Sequence, residues 1–170
     1  MIGGWDISGI LTWHSGQAYS TVSSAFVAGY ANDAPAIFNG DKGALRHSIH
    51  KEQGGAVNLY ANPLAAVSAF SGPVGLKIGN RNILRGPTFF NFDAGLAKNF
   101  VLYAPKNVTL QFRADAFNVL NHPNFDSLDY ANYSGYIDIT QPSNFGQLTS
   151  LVTTQPGTPR VVQLSGRIQF

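Results

Sequence analysis

Val161-Val-Gln-Leu-Ser-Gly-Arg-Ile-Gln-Phe170 alternates face by face along its whole length. Val162, Leu164, Gly166, Ile168 and Phe170 share one side. Val161, Gln163, Ser165, Arg167 and Gln169 share the other. A period of two is the mark of a β-strand with one face toward apolar surroundings. The run is ten residues long, whereas strands of water-soluble domains are usually about five or six.

Three earlier runs behave the same way. From Trp5 to His14 the odd positions hold Trp5, Ile7, Gly9, Leu11 and Trp13, and the even ones hold Asp6, Ser8, Ile10, Thr12 and His14. From Phe89 to Phe100 one face carries Phe90, Phe92, Ala94, Leu96 and Phe100, interrupted by Lys98; Asn91, Asp93, Ala97 and Asn99 alternate with them. From Val108 to Ala116, Val108, Leu110, Phe112 and Ala114 oppose Thr109, Gln111, Arg113 and Asp115. The phase is lost near Phe117, which suggests a bulge or a membrane boundary.

Ten residues at roughly 3.3 Å each, tilted near 45°, cross about 25 Å. That is the height of the apolar band of an outer-membrane barrel. The expected membrane strands are residues 4–14, 89–100, 108–118 and 160–170. Trp5 and Trp13 end the first run, and Phe90, Phe92 and Phe100 sit near the ends of the second, as interface aromatics would. The competing fold is a soluble β-sandwich with aromatic core residues, recognising glycans through exposed rings.

The connections separate the two. The link Val101 to Asn107 is short, while residues 15–88 and 117–160 are long. Long, short, long is the order of extracellular loops and a periplasmic turn. The fold expected is therefore all-β: antiparallel C-terminal strands of a transmembrane barrel, incomplete, with long extracellular loops. Four strands cannot close a barrel, for which about eight is the minimum. Residues 56–60 and 135–140 are too short to span and are expected to decorate loops. Residues 1–4 run directly into a strand, with no basic or apolar leader before them. An exported protein needs one, so the chain reads as an N-terminally truncated fragment and Met1 as an internal methionine.

Composition agrees. Charged residues make up 12% of the 170, roughly half the share of a soluble domain, and Gly, Asn, Ser and Thr fill the difference. The net charge of +2 comes from scattered residues with no basic run, which excludes a nucleic-acid footprint. No apolar stretch reaches the length of a membrane helix. With no cysteine, disulfides, iron–sulfur clusters and thiol catalysis are excluded.

The later blocks resemble a known family. Gly79-Asn-Arg-Asn-Ile-Leu-Arg-Gly-Pro87, Phe90-Asn-Phe-Asp-Ala-Gly-Leu-Ala-Lys-Asn-Phe100, Leu110-Gln-Phe-Arg-Ala-Asp-Ala-Phe-Asn-Val-Leu-Asn-His-Pro-Asn-Phe125 and Asn144-Phe-Gly-Gln-Leu-Thr149 are similar to the Oar-like TonB-dependent receptors of acidobacterial type. Those are large outer-membrane proteins with an N-terminal carboxypeptidase-regulatory-like domain. Gly4-Trp-Asp-Ile-Ser-Gly-Ile-Leu-Thr12, Ser15-Gly16 and the stretch from Asn62-Pro63 to Phe70 fit as well; residues 17–61 match nothing in the family pattern. The resemblance implies the C-terminal barrel portion of a receptor or transporter in the cell outer membrane. Its partners would be outer-membrane lipid, the barrel-assembly machinery, TonB through an N-terminal part not in this chain, and an unknown ligand.

Candidate residues follow. Phe170, Ile168, Gly166 and Leu164 form an expected assembly signal, because an amphipathic strand with a terminal aromatic can add to a sheet edge. Asp6, Asp93, Arg113, Asp115 and Arg167 fall on polar faces and are expected to point into the lumen. They would serve there as a ladder of ion pairs between strands, in preference to a substrate path. Lys98 is expected to reach toward headgroups. His47 and His50 lack a carboxylate or cysteine pattern and read as solvated loop residues, so no metal is expected. The Gly79 to Gly86 stretch lacks the ending of a phosphate loop and reads as a turn. No catalytic arrangement and no cofactor site emerge, so no enzyme is expected.

Overall fold

A computed structural model of the chain describes residues 3–26, 29–30, 33–126, 128, 137–153 and 159–170. It contains strands and one short helix, Pro63–Ser68. No helix among the described residues is long and apolar enough to cross a membrane. The chain divides into two compact units: residues 1–14, 89–124 and 152–170 make the first, and residues 15–88 and 125–151 the second.

The first unit is a four-stranded antiparallel sheet in chain order. Its strands are β1 (Trp5–His14), β2 (Phe89–Tyr103), β3 (Val108–Phe117) and β4 (Val161–Gln169). The register fixes which side chains share a face, because residues directly opposite each other point the same way. Trp5 stands opposite Lys98, Lys98 opposite Phe112, and Phe112 opposite Gly166. One row further, Ile7, Leu96, Ala114 and Leu164 line up; then Gly9, Ala94, Ala116 and Val162. All four apolar alternations therefore fall on one face of one sheet. A slip of one residue at any pair would have scattered them. Within this unit no second sheet covers that face among the described residues, so the sandwich alternative does not form.

β2 is longer than the sequence pattern suggests. It continues through Val101, Leu102 and Tyr103, with an irregularity between Val101 and Tyr103 where it pairs with β3. The connection then shrinks to a 3-10 turn, Ala104–Lys106, ended by Asn107 in the left-handed region (φ 54°), whose N–H donates to the Ala104 carbonyl at 3.1 Å. Three β-forming residues outweighed the lone Pro105, which sits where the turn has no use for an N–H.

Loss of phase after Phe117 is a corner, not a bulge. Asn118 is left-handed (φ 49°), which asparagine tolerates better than most residues. Its side chain clasps His122: Nδ2 donates to the His122 carbonyl and Oδ1 accepts from the His122 N–H, both at 2.9 Å. Asn124 accepts from the Phe90 N–H at 2.9 Å, and Phe90 meets the His122 ring edge-on. The segment from Asn118 to Asn124 thus folds back on the start of β2.

The second unit is built from short pairings around an apolar core. Val57–Tyr60 is the middle strand of three, flanked by His47–Lys51 and Gln147–Leu148. Leu59, Tyr60, Ala66, Phe70, Leu84, Phe145 and Leu148 are buried together. Asn62 caps the helix through its side chain (3.0 Å to Ala65 N) and Pro63 opens it, the order that suits orphan N–H groups. The Gly79 to Gly86 stretch is more than a turn: Leu84–Arg85 pairs with Ala18–Tyr19, and the Gly79 N–H donates to the Pro35 carbonyl at 2.9 Å. His47 and His50 lie in a strand, and His50 Nε2 pairs with Ser48 Oγ at 2.7 Å. Of residues 135–140, only 137–140 are described; Asp138 there makes an isolated bridge to Val22.

Candidate functional site

The chemistry of the first unit lies in the contrast between its two faces. On the apolar face the rings gather toward the strand ends, while aliphatic residues such as Ile7, Leu96 and Leu164 and small ones fill the middle. Trp13 stands opposite Phe90 and Leu11 opposite Phe92 at one end. Trp5, Phe100 and Phe112 hold the other, with Phe100 and Phe112 edge-to-face at 6.1 Å between centroids. Between them lie Gly9, Ala94, Ala114 and Ala116. These side chains are open: Ile7 is 82% exposed, Leu164 77% and Trp13 66%. An apolar surface of that extent in water would aggregate; it is the surface a lipid environment accommodates.

Among the described residues of the four strands, Lys98 is the one charge on that face. Its Nζ lies 4.8 Å from the Trp5 ring centroid and donates to the Gly3 carbonyl. It sits in the row with the ring-bearing strand ends, where amphipathic side chains reach polar surroundings.

Asp6, Asp93, Arg113, Asp115 and Arg167 all occupy the opposite face by register. They do not form a ladder of ion pairs. Among the described residues the ion pair is Arg113 Nε to Asp115 Oδ2 at 2.7 Å, within a single strand. Gly95 makes room for it, since a Cβ there would meet Asp115 Oδ1 at 2.7 Å and Arg113 at 3.3 Å. The links between strands are made by amides. Gln111 donates to Asn99 Oδ1 at 2.9 Å, and Asn99 donates to Asp6 Oδ2 at 2.7 Å. Arg167 stands opposite Gln111. The reason is spacing: Asp6 pairs with Ala97 and Asp93 with Ile10, so no acid stands directly across from a base.

Asp93 does a different job from the other four. Its Oδ1 accepts from Asn91 Nδ2 and from the Asn118 N–H, both at 2.8 Å. It therefore anchors the left-handed corner that ends β3. Sequence reasoning placed Asp93 on the polar face but missed this partnership; Asn118, Asn121 and Asn124, clustered after a strand, were the available signal.

The strand from Val161 ends beside β3, with Leu164 opposite Ala114, Gly166 opposite Phe112 and Ile168 opposite Leu110. The Phe112 ring lies over Gly166, 3.7 Å from where a Cβ would stand. Phe170 follows the strand and is 96% exposed.

All four chain ends that lead into residues 15–88 and 117–160 leave from the same end of the strands: His14 faces Phe89, and Phe117 faces Val161. The short turn at Ala104–Lys106 joins β2 to β3 at the opposite end. Long alternating strands, one lipophilic face, aromatic ends and segregated connections define a stretch of transmembrane β-barrel wall. The chain belongs to the outer membrane beta barrel domain family, whose model matches residues 1–163. Its location is the cell outer membrane. No curated protein and no solved structure matches it.

Proposed function

We propose that the chain is the C-terminal barrel portion of a TonB-dependent receptor or transporter. It contributes strands to the barrel wall, an assembly signal, and extracellular segments that meet the ligand. The apolar face lies against lipid, and the face with Asp6, Asp93, Arg113, Asp115 and Arg167 lines the lumen. The observation that supports this best is the shared register of the four strands, with both long connections leaving the same end of them. The resemblance of Phe112 to Phe125 and Asn144 to Thr149 to the Oar-like receptors favours this receptor type. β1 and β4 are edge strands here. In hydrocarbon their free N–H and C=O groups would cost several kcal/mol each, so further strands of the same barrel pair with them.

Two arms test this in the native host. Removing Phe170 lowers the amount of receptor assembled in the outer membrane, read by heat-modifiable migration; full assembly would refute the signal. Deleting TonB abolishes receptor-dependent ligand accumulation but leaves barrel assembly intact; accumulation that persists would rule out energised transport.

A further inference from the structure

The second unit holds a cavity of about 750 Å³, a size typical of small-molecule sites. Its walls are apolar at Ile37, Phe38, Ile83 and Leu84, and three cations line it: Lys42, Lys77 and Arg85. Among the described residues no carboxylate lines it. Among the described residues none of the three cations makes an ion pair. In a chain with nine acidic residues against eleven basic ones, three cations among the described lining residues of one pocket, with no acid among them, is a local bias.

Each cation is held by folded backbone. Lys42 opens a 3-10 turn whose cap is Asp41, with Oδ1 accepting from Gly43 N at 2.9 Å. Lys77 is tied to Val74 by a reciprocal pair of backbone bonds at 3.0 and 3.1 Å, made possible by Gly75 at φ 59°. Arg85 is in the short strand paired with Ala18–Tyr19. The wall between them is fixed by Gly79, where a Cβ would come within 1.7 Å of the Ala36 carbonyl oxygen. Only glycine allows that approach. Cations anchored at their backbones around a half-open, partly apolar pocket favour a ligand that is itself both greasy and negative.

We infer that this cavity binds an organic anion: an apolar body, aromatic or aliphatic, carrying two or more negative charges. The inference rests on the receptor reading only in making this anion the cargo; binding itself requires neither TonB nor transport.

The test uses the complete receptor in nanodiscs of zwitterionic lipid, titrated calorimetrically with a naphthalene disulfonate. One saturable site per chain is expected. The uncharged naphthalene diol and inorganic sulfate should each bind at least about tenfold more weakly, since each lacks half of the recognition. Lys42→Gln, Lys77→Gln and Arg85→Gln should each weaken the disulfonate by about tenfold, and added salt should weaken it further. These three side chains are exposed, so the variants fold, which protease resistance of residues 15–88 verifies. Absence of saturable binding, or equal binding by the variant lacking all three cations, overturns the proposal. Binding that persists while accumulation proves independent of TonB would leave this site standing and refute the transport mechanism.

Discussion

The two units solve opposite problems with the same residue types. Among the described residues, every buried hydrophobic side chain except Ala97 lies in the second unit. The sheet instead presents Ile7, Leu11, Trp13, Leu96, Phe112 and Leu164 outward. The buried positions of the first unit include Asn91, Asn118 and Asn124. One unit hides apolar surface from water; the other displays it to a solvent that is itself apolar, and spends its hydrogen bonds on its corners. Hydrophobic content alone could not have told them apart. The spacing of hydrophobic residues, two in one unit and irregular in the other, could.

The largest effect is expected from a change confined to the second unit. Gly146 adopts φ 76°, and a Cβ there would lie 2.4 Å from the Tyr60 ring. Gly146→Ala combines backbone strain with overpacking, together about 4 kcal/mol. Residues 15–88 should become protease-sensitive while the barrel still migrates as a folded species. Loss of the barrel as well would mean that the two units do not fold independently. The sheet is tested by Leu96→Arg, which puts a charge in the middle of the apolar face at a cost of about 3 kcal/mol. Gln163→Arg, on the other face and directly opposite Asp115, should cost no more than about 0.5 kcal/mol. Equal costs in vesicle refolding would break the assignment of faces.

The corner and the core give intermediate effects. Asp93→Ala removes two hydrogen bonds to a carboxylate and should cost about 2 kcal/mol. Increased proteolysis between Asn118 and Asn124 would report it, and unchanged cleavage would deny Asp93 its anchoring role. In the second unit, Tyr19 and Tyr60 share a hydroxyl–hydroxyl bond of 2.6 Å. Burial pushes both phenols up, Tyr60 from the usual 10.0 to about 12. A folded-state value raised above the unfolded one stabilises fully below pH 10.0, and that stability is lost as pH rises toward about 12. Ionisation of this pair should therefore appear as a late step in tyrosinate absorbance that coincides with loss of the second unit, in a window where the sheet persists. Titration of all tyrosines near their ordinary value, without unfolding, would contradict the buried pair.

Much of the sheet was legible in advance because one rule governs it. Alternation selects the strands, and a single lipophilic face selects their register. The ends were less legible. Val101 to Tyr103 joined β2 because the pairing partner Val108 was available, which is knowledge of a neighbour and not of local sequence. The ion pairs failed for the same reason: alternation assigns a charge to a face, but only register decides what stands across from it. Residues 17–61 matched no pattern because short pairs such as Ile37–Phe38 with Phe70–Ser71 are held by distant contacts and leave no period. The cations of the cavity, drawn from Lys42, Lys77 and Arg85, were scattered for that reason too.

Lys98 offers the finest test of where the sheet meets the membrane surface. On the apolar face it is flanked in its row by Trp5 and Phe112. Lys98→Met keeps the length of the side chain and removes the charge. The variant loses the contact with the Trp5 ring, worth about 0.5–1 kcal/mol at an exposed site, together with the bond to the Gly3 carbonyl. It gains by removing a charge from the lipid face, a term of about 0–1 kcal/mol near the interface but about 2–4 kcal/mol at the midplane. If the row of Trp5, Lys98 and Phe112 lies at headgroup level, the two terms nearly cancel and stability shifts by less than about 1 kcal/mol. A stabilisation beyond that, read from vesicle refolding by the fluorescence of Trp5 and Trp13, would place the row deep in the hydrocarbon. The membrane surface would then lie beyond Phe100, toward Leu102 and Tyr103. The sign and size of one substitution thereby locate the boundary of the apolar band along β2.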